Sequence, residues 1–162
     1  MNVEELRTRV TDALGLPCAL AFGQLTVDVP RADWARVVAL VKEDVELSCD
    51  FFDQLTAVDE LAAGLHVVLQ LWSTARRHGL TLRTSCPADD PVVPSLSSVF
   101  AGAAWHERET AEMFGIDFTG HPALSPLLLS ADFEGHPLRK SFVLQSRVVK
   151  AWPGDKEPGG SP

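Results

Sequence analysis

Residues 65–72 read LHVVLQLW, and the alternation in this octet decides how its surroundings are read. Leu65, Val67, Leu69 and Leu71 share one parity, so in a strand they share one face. Ala62-Ala63-Gly64 just before it supplies a turn, and Arg76-Arg77-His78-Gly79 after it supplies another. Leu80-Thr81-Leu82-Arg83-Thr84 then alternates again. Upstream, CDFFDQLTAVD (49–59) is aromatic and β-branched enough for a further strand. Three strands thus run from about residue 50 to residue 84.

The segment before them reads as helix, hairpin, helix. Val3, Leu6, Val10, Ala13 and Leu14 recur at helical spacing until Gly15 and Pro17 stop the run. CALAFGQLTVDV (18–29) holds two short apolar stretches around Gly23, and Leu25, Val27 and Val29 alternate with Thr26 and Asp28. Trp34, Val37, Val38, Val41 and Val45 form one helical face, with Asp33 as the expected N-cap. The order α-β-β-α-β-β-β predicts an α+β two-layer domain: one mostly antiparallel or mixed sheet with helices on a single face.

CPADDPVVP (86–94) reads as a loop. Leu96, Val99, Phe100, Ala103, Glu107, Thr110 and Phe114 then trace a helix face that is apolar except near its centre, closed by Gly115 as C′ residue. After Asp117 no period lasts. Residues 1–117 are therefore expected to form the α+β domain, and 118–162 an extended tail whose end, PGDKEPGGSP, is expected to be disordered.

Charge and composition exclude several functions. The net charge of -8 argues against nucleic acid, which needs a basic patch. Nine basic and eighteen acidic side chains precede residue 118, against five and four after it, so the acidity lies in the body. No apolar run is long enough to span a bilayer, and MNVEELRTRV has no apolar signal core. The expected location is cytoplasmic, or peripheral on the cytoplasmic face of a larger assembly. Cys18, Cys49 and Cys86 contain no CxxC pair, which fits reduced core thiols better than a zinc or iron–sulphur site.

The densest ionisable cluster is Trp105-His106-Glu107-Arg108-Glu109-Thr110-Ala111-Glu112. It is not a zinc-protease motif, because HExxH needs histidine where Thr110 stands. Glutamates beside Arg108 on a helix are usually surface ion pairs. Alternatively Arg108 grips a carboxylate while Glu107, Glu109 and Glu112 take basic partners, with Trp105 as an aromatic anchor. Downstream, Phe118-Thr119-Gly120-His121-Pro122 returns as Phe133-Glu134-Gly135-His136-Pro137. Glycine admits a turn and proline then extends the chain, so each histidine is placed to bond nearby carbonyls and fix a loop. Neither His121 nor His136 has a convincing set of further metal ligands nearby. The leucines between them, with Phe142, Val143, Leu144, Val148, Val149 and Trp152, must be buried on the body or, as expected for so long an irregular tail, on another protein of an assembly.

These residues resemble the 30 kDa subunit family of NADH:quinone oxidoreductase (respiratory complex I), also called its C subunit. The resemblance rests on Glu107-Arg108-Glu109-Thr110-Ala111-Glu112-Met113-Phe114 followed by His121. It extends through Phe114-Gly115-Ile116-Asp117-Phe118, Gly120-His121-Pro122 and Gly135-His136-Pro137-Leu138-Arg139-Lys140. Two departures stand out: Ser125-Pro126 where the family usually has an arginine pair, and Ser141 where it usually has aspartate. The resemblance implies a non-catalytic structural and assembly subunit of the peripheral arm, packed against the D subunit beside the quinone site. The complex it implies transfers electrons from NADH to quinone with proton translocation, using FMN and iron–sulphur clusters. It implies no cofactor or metal bound by this chain, and membrane contact only through the complex. Arg108, Glu109 and Glu112 would orient the helix and its contacts, and the tail from His121 to Trp152 would lie along the D subunit. Two alternatives stay open: the equivalent subunit of an energy-converting hydrogenase or other-donor dehydrogenase, and a free-standing hydrolase using His106, Glu109 and Glu112.

Overall fold

Asn2 starts the fold. The computed structural model describes residues 2–143; the expectations about Leu144, Val148, Val149, Trp152 and the final decapeptide lie outside these residues. The Asn2 side chain accepts from the Glu5 N–H at 2.8 Å while Glu5 accepts from the Asn2 N–H at 3.1 Å, a reciprocal capping box. Helix α1 (Val3–Leu14) follows and ends at Gly15 in the left-handed region. Strands β1 (Cys18–Ala21) and β2 (Gln24–Asp28) form the expected hairpin. Helix α2 (Trp34–Glu43) carries the chain to the far edge of the sheet, where β3 (Phe51–Asp59), β4 (Leu65–Ser73) and β5 (His78–Cys86) return antiparallel.

The sheet order is β1-β2-β5-β4-β3, and β2 pairs with β5 in parallel. One face is covered. Leu65, Val67, Leu69 and Leu71 of β4 are all buried, as their alternation requires. They join Leu25, Val27, Leu55, Leu80 and Leu82 in a core with Leu6 and Val10 of α1 and Trp34, Val37, Val38 and Val41 of α2. The other face is left open.

Several expectations change. Val45 is exposed: α2 stops at Glu43, and the Asp44 carboxylate accepts the Glu46 and Leu47 N–H groups. That turn swings Leu47 into the core instead. Asp33 does not cap α2; its carboxylate bonds Arg36, and a 3₁₀ turn at Arg31–Asp33 leads into the helix. The 86–94 loop contains strand β6 (Val92–Pro94), paired in parallel with β7 (Asp117–Thr119). Strand β7 runs through the expected 117/118 boundary, and Phe118 is buried in the core. Helix α3 (Ala103–Phe114) begins later than the apolar spacing implied, although Leu96 and Phe100 are buried before it.

His78 is buried, and neither ring nitrogen has a hydrogen-bond partner. Burial pushes its pKa below 6.5, and the nearby Leu47 backbone offsets this only in part. The unfolded chain therefore binds this proton first, and stability falls as pH drops from 6.5 through the lowered folded value. Melting temperatures recorded across that window should decline, and the non-titrating His78→Gln variant should lose this part of the decline.

A charged helix that straps down its own tail

Helix α3 lies beside the β3 edge and presents each charged residue of the Glu-Arg-Glu motif to a different task. Glu107 points inward with Ala103, Thr110 and Phe114, and all four are buried. Its two oxygens accept the Ser95 hydroxyl and the Leu96 N–H, each at 2.6 Å. Burial pushes the Glu107 pKa up, and the bonds from Ser95 and Leu96 pull it back only partly. Glu107 is thus a pin to the segment after β6, which corrects its expected role as a surface carboxylate for a basic partner.

Arg108 and Glu112 face the other way. The Arg108 Nε donates to the Ser125 carbonyl at 2.8 Å and its Nη2 to the Pro126 carbonyl at 2.7 Å. The planar fork expected to grip a carboxylate grips two consecutive peptide carbonyls, with the guanidinium 5.1 Å from the centre of the Trp105 ring. Glu112 accepts the N–H groups of Leu127, Leu128 and Leu129 at 3.3, 2.8 and 2.9 Å. Partial burial raises the pKa of Glu112, but the three N–H groups and Arg108 outweigh it and hold the group below 4.5. Neither residue forms a side-chain ion pair among the described residues, so the surface ion-pair reading is also corrected. Glu109 is exposed.

The two Gly-His-Pro loops clip this strap at both ends of the helix. His121 Nδ1 accepts the Ala123 N–H at 3.0 Å, which leaves Nε2 to donate to the Ala104 carbonyl at 3.0 Å. His136 Nδ1 lies 2.9 Å from the Glu112 carbonyl. Gly120 and Gly135 turn at φ 85° and 90°, so each loop has the shape expected of Gly-His-Pro. Pro122 and Pro137 follow the two histidines at the same places in their loops.

The last carbonyls of a helix have no partner within it. Here the strap supplies them. Leu138 N–H donates to Met113, and the Arg139 guanidinium donates to the Phe114 and Gly115 carbonyls. A cation at this end also suits the helix dipole. Gly115 sits at φ 69°, and a Cβ there would stand 2.5 Å from His136 Nε2, so glycine lets the imidazole close over the helix end. The Lys140 N–H donates to the Asp59 carboxylate at 2.8 Å, tying the strap to the end of β3. That bond and the Leu61 N–H hold the Asp59 pKa below 3.8.

A cleft of about 410 Å³ remains between helix and strap, lined by Ala111, Ile116, Leu124, Leu129, Phe133 and His136 among others. Leu128 and Leu138 of the strap stay exposed, 61% and 53%, as does Trp105 of α3 at 60%. The hydrolase trio does not converge. His106 Nδ1 lies 3.2 Å from the Leu55 carbonyl on β3, while Glu112 faces the strap. Among the described residues, no three His, Cys, Asp or Glu side chains are grouped to hold a metal ion.

The contacts of Asp59 with Lys140, and of Glu107 with Ser95, were not identified from sequence. The first joins residues 81 positions apart, and no periodicity marks it. Glu112→Ala should release the three leucine amides, raising their hydrogen-exchange rates about tenfold or more, since bonds to a charged group contribute roughly 1.5–3 kcal/mol. Unchanged exchange at Leu127, Leu128 and Leu129 would show that the strap holds without Glu112.

The chain is similar to known proteins in sequence and fold. The family described as "Respiratory-chain NADH dehydrogenase, 30 Kd subunit" matches residues 27–148. The NADH-quinone oxidoreductase C subunit of Roseiflexus castenholzii is 42% identical over 146 residues, covering 89% of this chain and 83% of that protein. The trypsin-resistant fragment (1-134) of Nqo5 superposes with a TM-score of 0.60 at 25% identity, covering 76% of this chain and 99% of the fragment. A chain of the membrane-bound sulfane sulfur reductase, an archaeal respiratory membrane complex, shares the fold at a TM-score of 0.79 and 21% identity, covering 94% and 96%. The motif helix, the paired loops and these likenesses agree: the chain belongs to the 30 kDa subunit family of respiratory-chain NADH dehydrogenase, the family of the NADH-quinone oxidoreductase C subunit.

Proposed function

We propose that this chain is a non-catalytic structural and assembly subunit in the peripheral arm of NADH:quinone oxidoreductase. It packs against the D subunit beside the quinone site, on the cytoplasmic side of the membrane. The observation that carries this reading is the strap. Arg108, Glu112 and both histidines are engaged with the chain's own backbone, so the strap is held on the helix, while the large apolar side chains of Trp105, Leu128 and Leu138 each stay exposed to solvent. Exposed apolar side chains on an ordered strap suit a contact with another protein. No helix of the described residues is long and apolar enough to cross a membrane. In this reading membrane contact comes through the complex. FMN, iron–sulphur clusters, NADH and quinone are handled by other subunits.

Affinity purification of the tagged full chain from its own cells, in mild detergent, tests the proposal. The D subunit and other peripheral-arm subunits are expected to come with it. Recovery of the chain alone would overturn the reading. A nickel-bearing large subunit in place of the NADH module would assign the chain to a hydrogenase instead.

A further inference from the structure

The open face of the sheet has one end unlike the rest. The β1–β2 hairpin turns through Phe22 and Gly23, at φ 52° and 76°. Two-residue turns of this kind favour asparagine or glycine at the first position, because a larger side chain is strained there. Phe22 is 105% exposed, so its ring gains no burial from the chain that strains it. A local rule broken without internal compensation is characteristic of a functional position.

The topology brings other aromatics to the same end. Phe51 pairs with Trp72, and Trp72 with Gly79, next to the start of β2. Phe51 and Trp72 remain 52% and 45% exposed. The indole lies against Gly79, where a Cβ would come within 3.1 Å of it. A register shift between Phe52 and Gln54 places Asp53 at an irregularity on the edge strand. Together with Gln24, Gln70 and Thr81, Trp72 and Asp53 line a cavity of about 260 Å³ in which Asp53 is the sole charged residue. Its carboxylate has no hydrogen bond or ion pair among the described residues.

We propose that this end of the sheet is a second protein-docking surface: a partner protein places an arginine or lysine side chain over Trp72 against Asp53, while Phe22 enters an apolar pocket of that partner. The chemistry is complementary. An indole face attracts a cation, a carboxylate pairs with it, and the glutamine side chains offer further oxygens. An anionic bilayer is the wrong occupant, since the cavity is negative and residues 1–117 carry twice as many acidic as basic side chains. The surface uses none of the residues that bond the strap, and the inference rests on the reading that the chain works within a multisubunit complex.

Two variants of the tagged full chain test it, each measured for melting temperature and for co-purifying subunits. Phe22→Asn should raise the melting temperature by about 2–4 °C, because asparagine accepts the turn conformation. The same variant should weaken association about tenfold or more, as for a central aromatic anchor. Asp53→Asn should leave melting unchanged, weaken association several-fold and flatten its dependence on salt. Wild-type recovery of subunits by both variants would overturn this docking surface while leaving the assembly reading intact. Failure of the wild-type chain to recover any subunit would overturn both. Binding of the wild-type chain to phosphatidylserine vesicles, lost in Phe22→Asn, would assign the tip to a membrane and also overturn the proposal.

Discussion

Ending the chain after Asp117 is expected to unfold the body rather than trim a tail. Strand β7 would lose Phe118 and Thr119 and with them most of its pairing to β6. Burial of a phenylalanine such as Phe118 contributes about 1.5–3 kcal/mol. The carbonyls of Glu112, Met113, Phe114 and Gly115 would lose His136, Leu138 and Arg139. At a net contribution near 1 kcal/mol for each bond, the combined loss is on the order of 5 kcal/mol or more. That is comparable to the entire stability of a small domain. Circular dichroism melts of residues 1–117 and 1–143 make the comparison. The longer chain should melt cooperatively and the shorter should show no cooperative transition near that temperature. Matching transitions would mean that α3 needs no strap.

Glu107→Ala should be the most damaging single substitution in the motif. It leaves the Leu96 N–H without an acceptor in a buried site, and the Ser95 hydroxyl keeps only the Ser97 hydroxyl as an acceptor. A stranded donor costs about 1–3 kcal/mol and the emptied side-chain space adds to it, so a loss of about 3–4 kcal/mol is expected. For a chain of this size that corresponds to a melting temperature lower by roughly 6–15 °C. Glu107→Gln keeps an acceptor for Leu96 and a donor for the Ser95 oxygen, and should cost about 1 kcal/mol. Because burial raises the folded pKa above 4.5, the linked stability is greatest below pH 4.5 and is lost as pH rises through the folded value. Glu107→Gln should lack this dependence. An alanine variant that melts with the wild type would show that the pin is idle.

Much of the body could be read before folding. The 65–72 alternation, the hairpin around Gly23 and the α1 face report directly on which side chains are buried, because burial sets period. Even Glu107 was legible in part: it shares a spacing with Ala103, Thr110 and Phe114, and that face is buried. Its company with Arg108 and Glu109 argued for the surface, but position on the helix outweighs identity when buried donors are waiting. Strands β6 and β7 were missed because a three-residue parallel pair has no period to detect. The strap was expected to lie on a partner because it lacks regular structure. Its hold on side chains of α3 is a separate feature, set by distant residues and therefore invisible to local pattern. The doubled Gly-His-Pro reading fared better, since its turn geometry is local, and its two histidines do bond carbonyls.

The way α3 is finished has a consequence for synthesis. The chain emerges from its amino terminus, so the helix is made with its carboxyl end bare. Its closing groups, His136 and Arg139, follow 24 and 25 positions after the carbonyls they serve, and the Asp59 clamp waits for a residue 81 positions later. A prematurely ended polypeptide would therefore carry the body without the finished strap. The strap's face toward a partner is therefore finished only when residues near Lys140 have been made, so a product ending before them lacks that face.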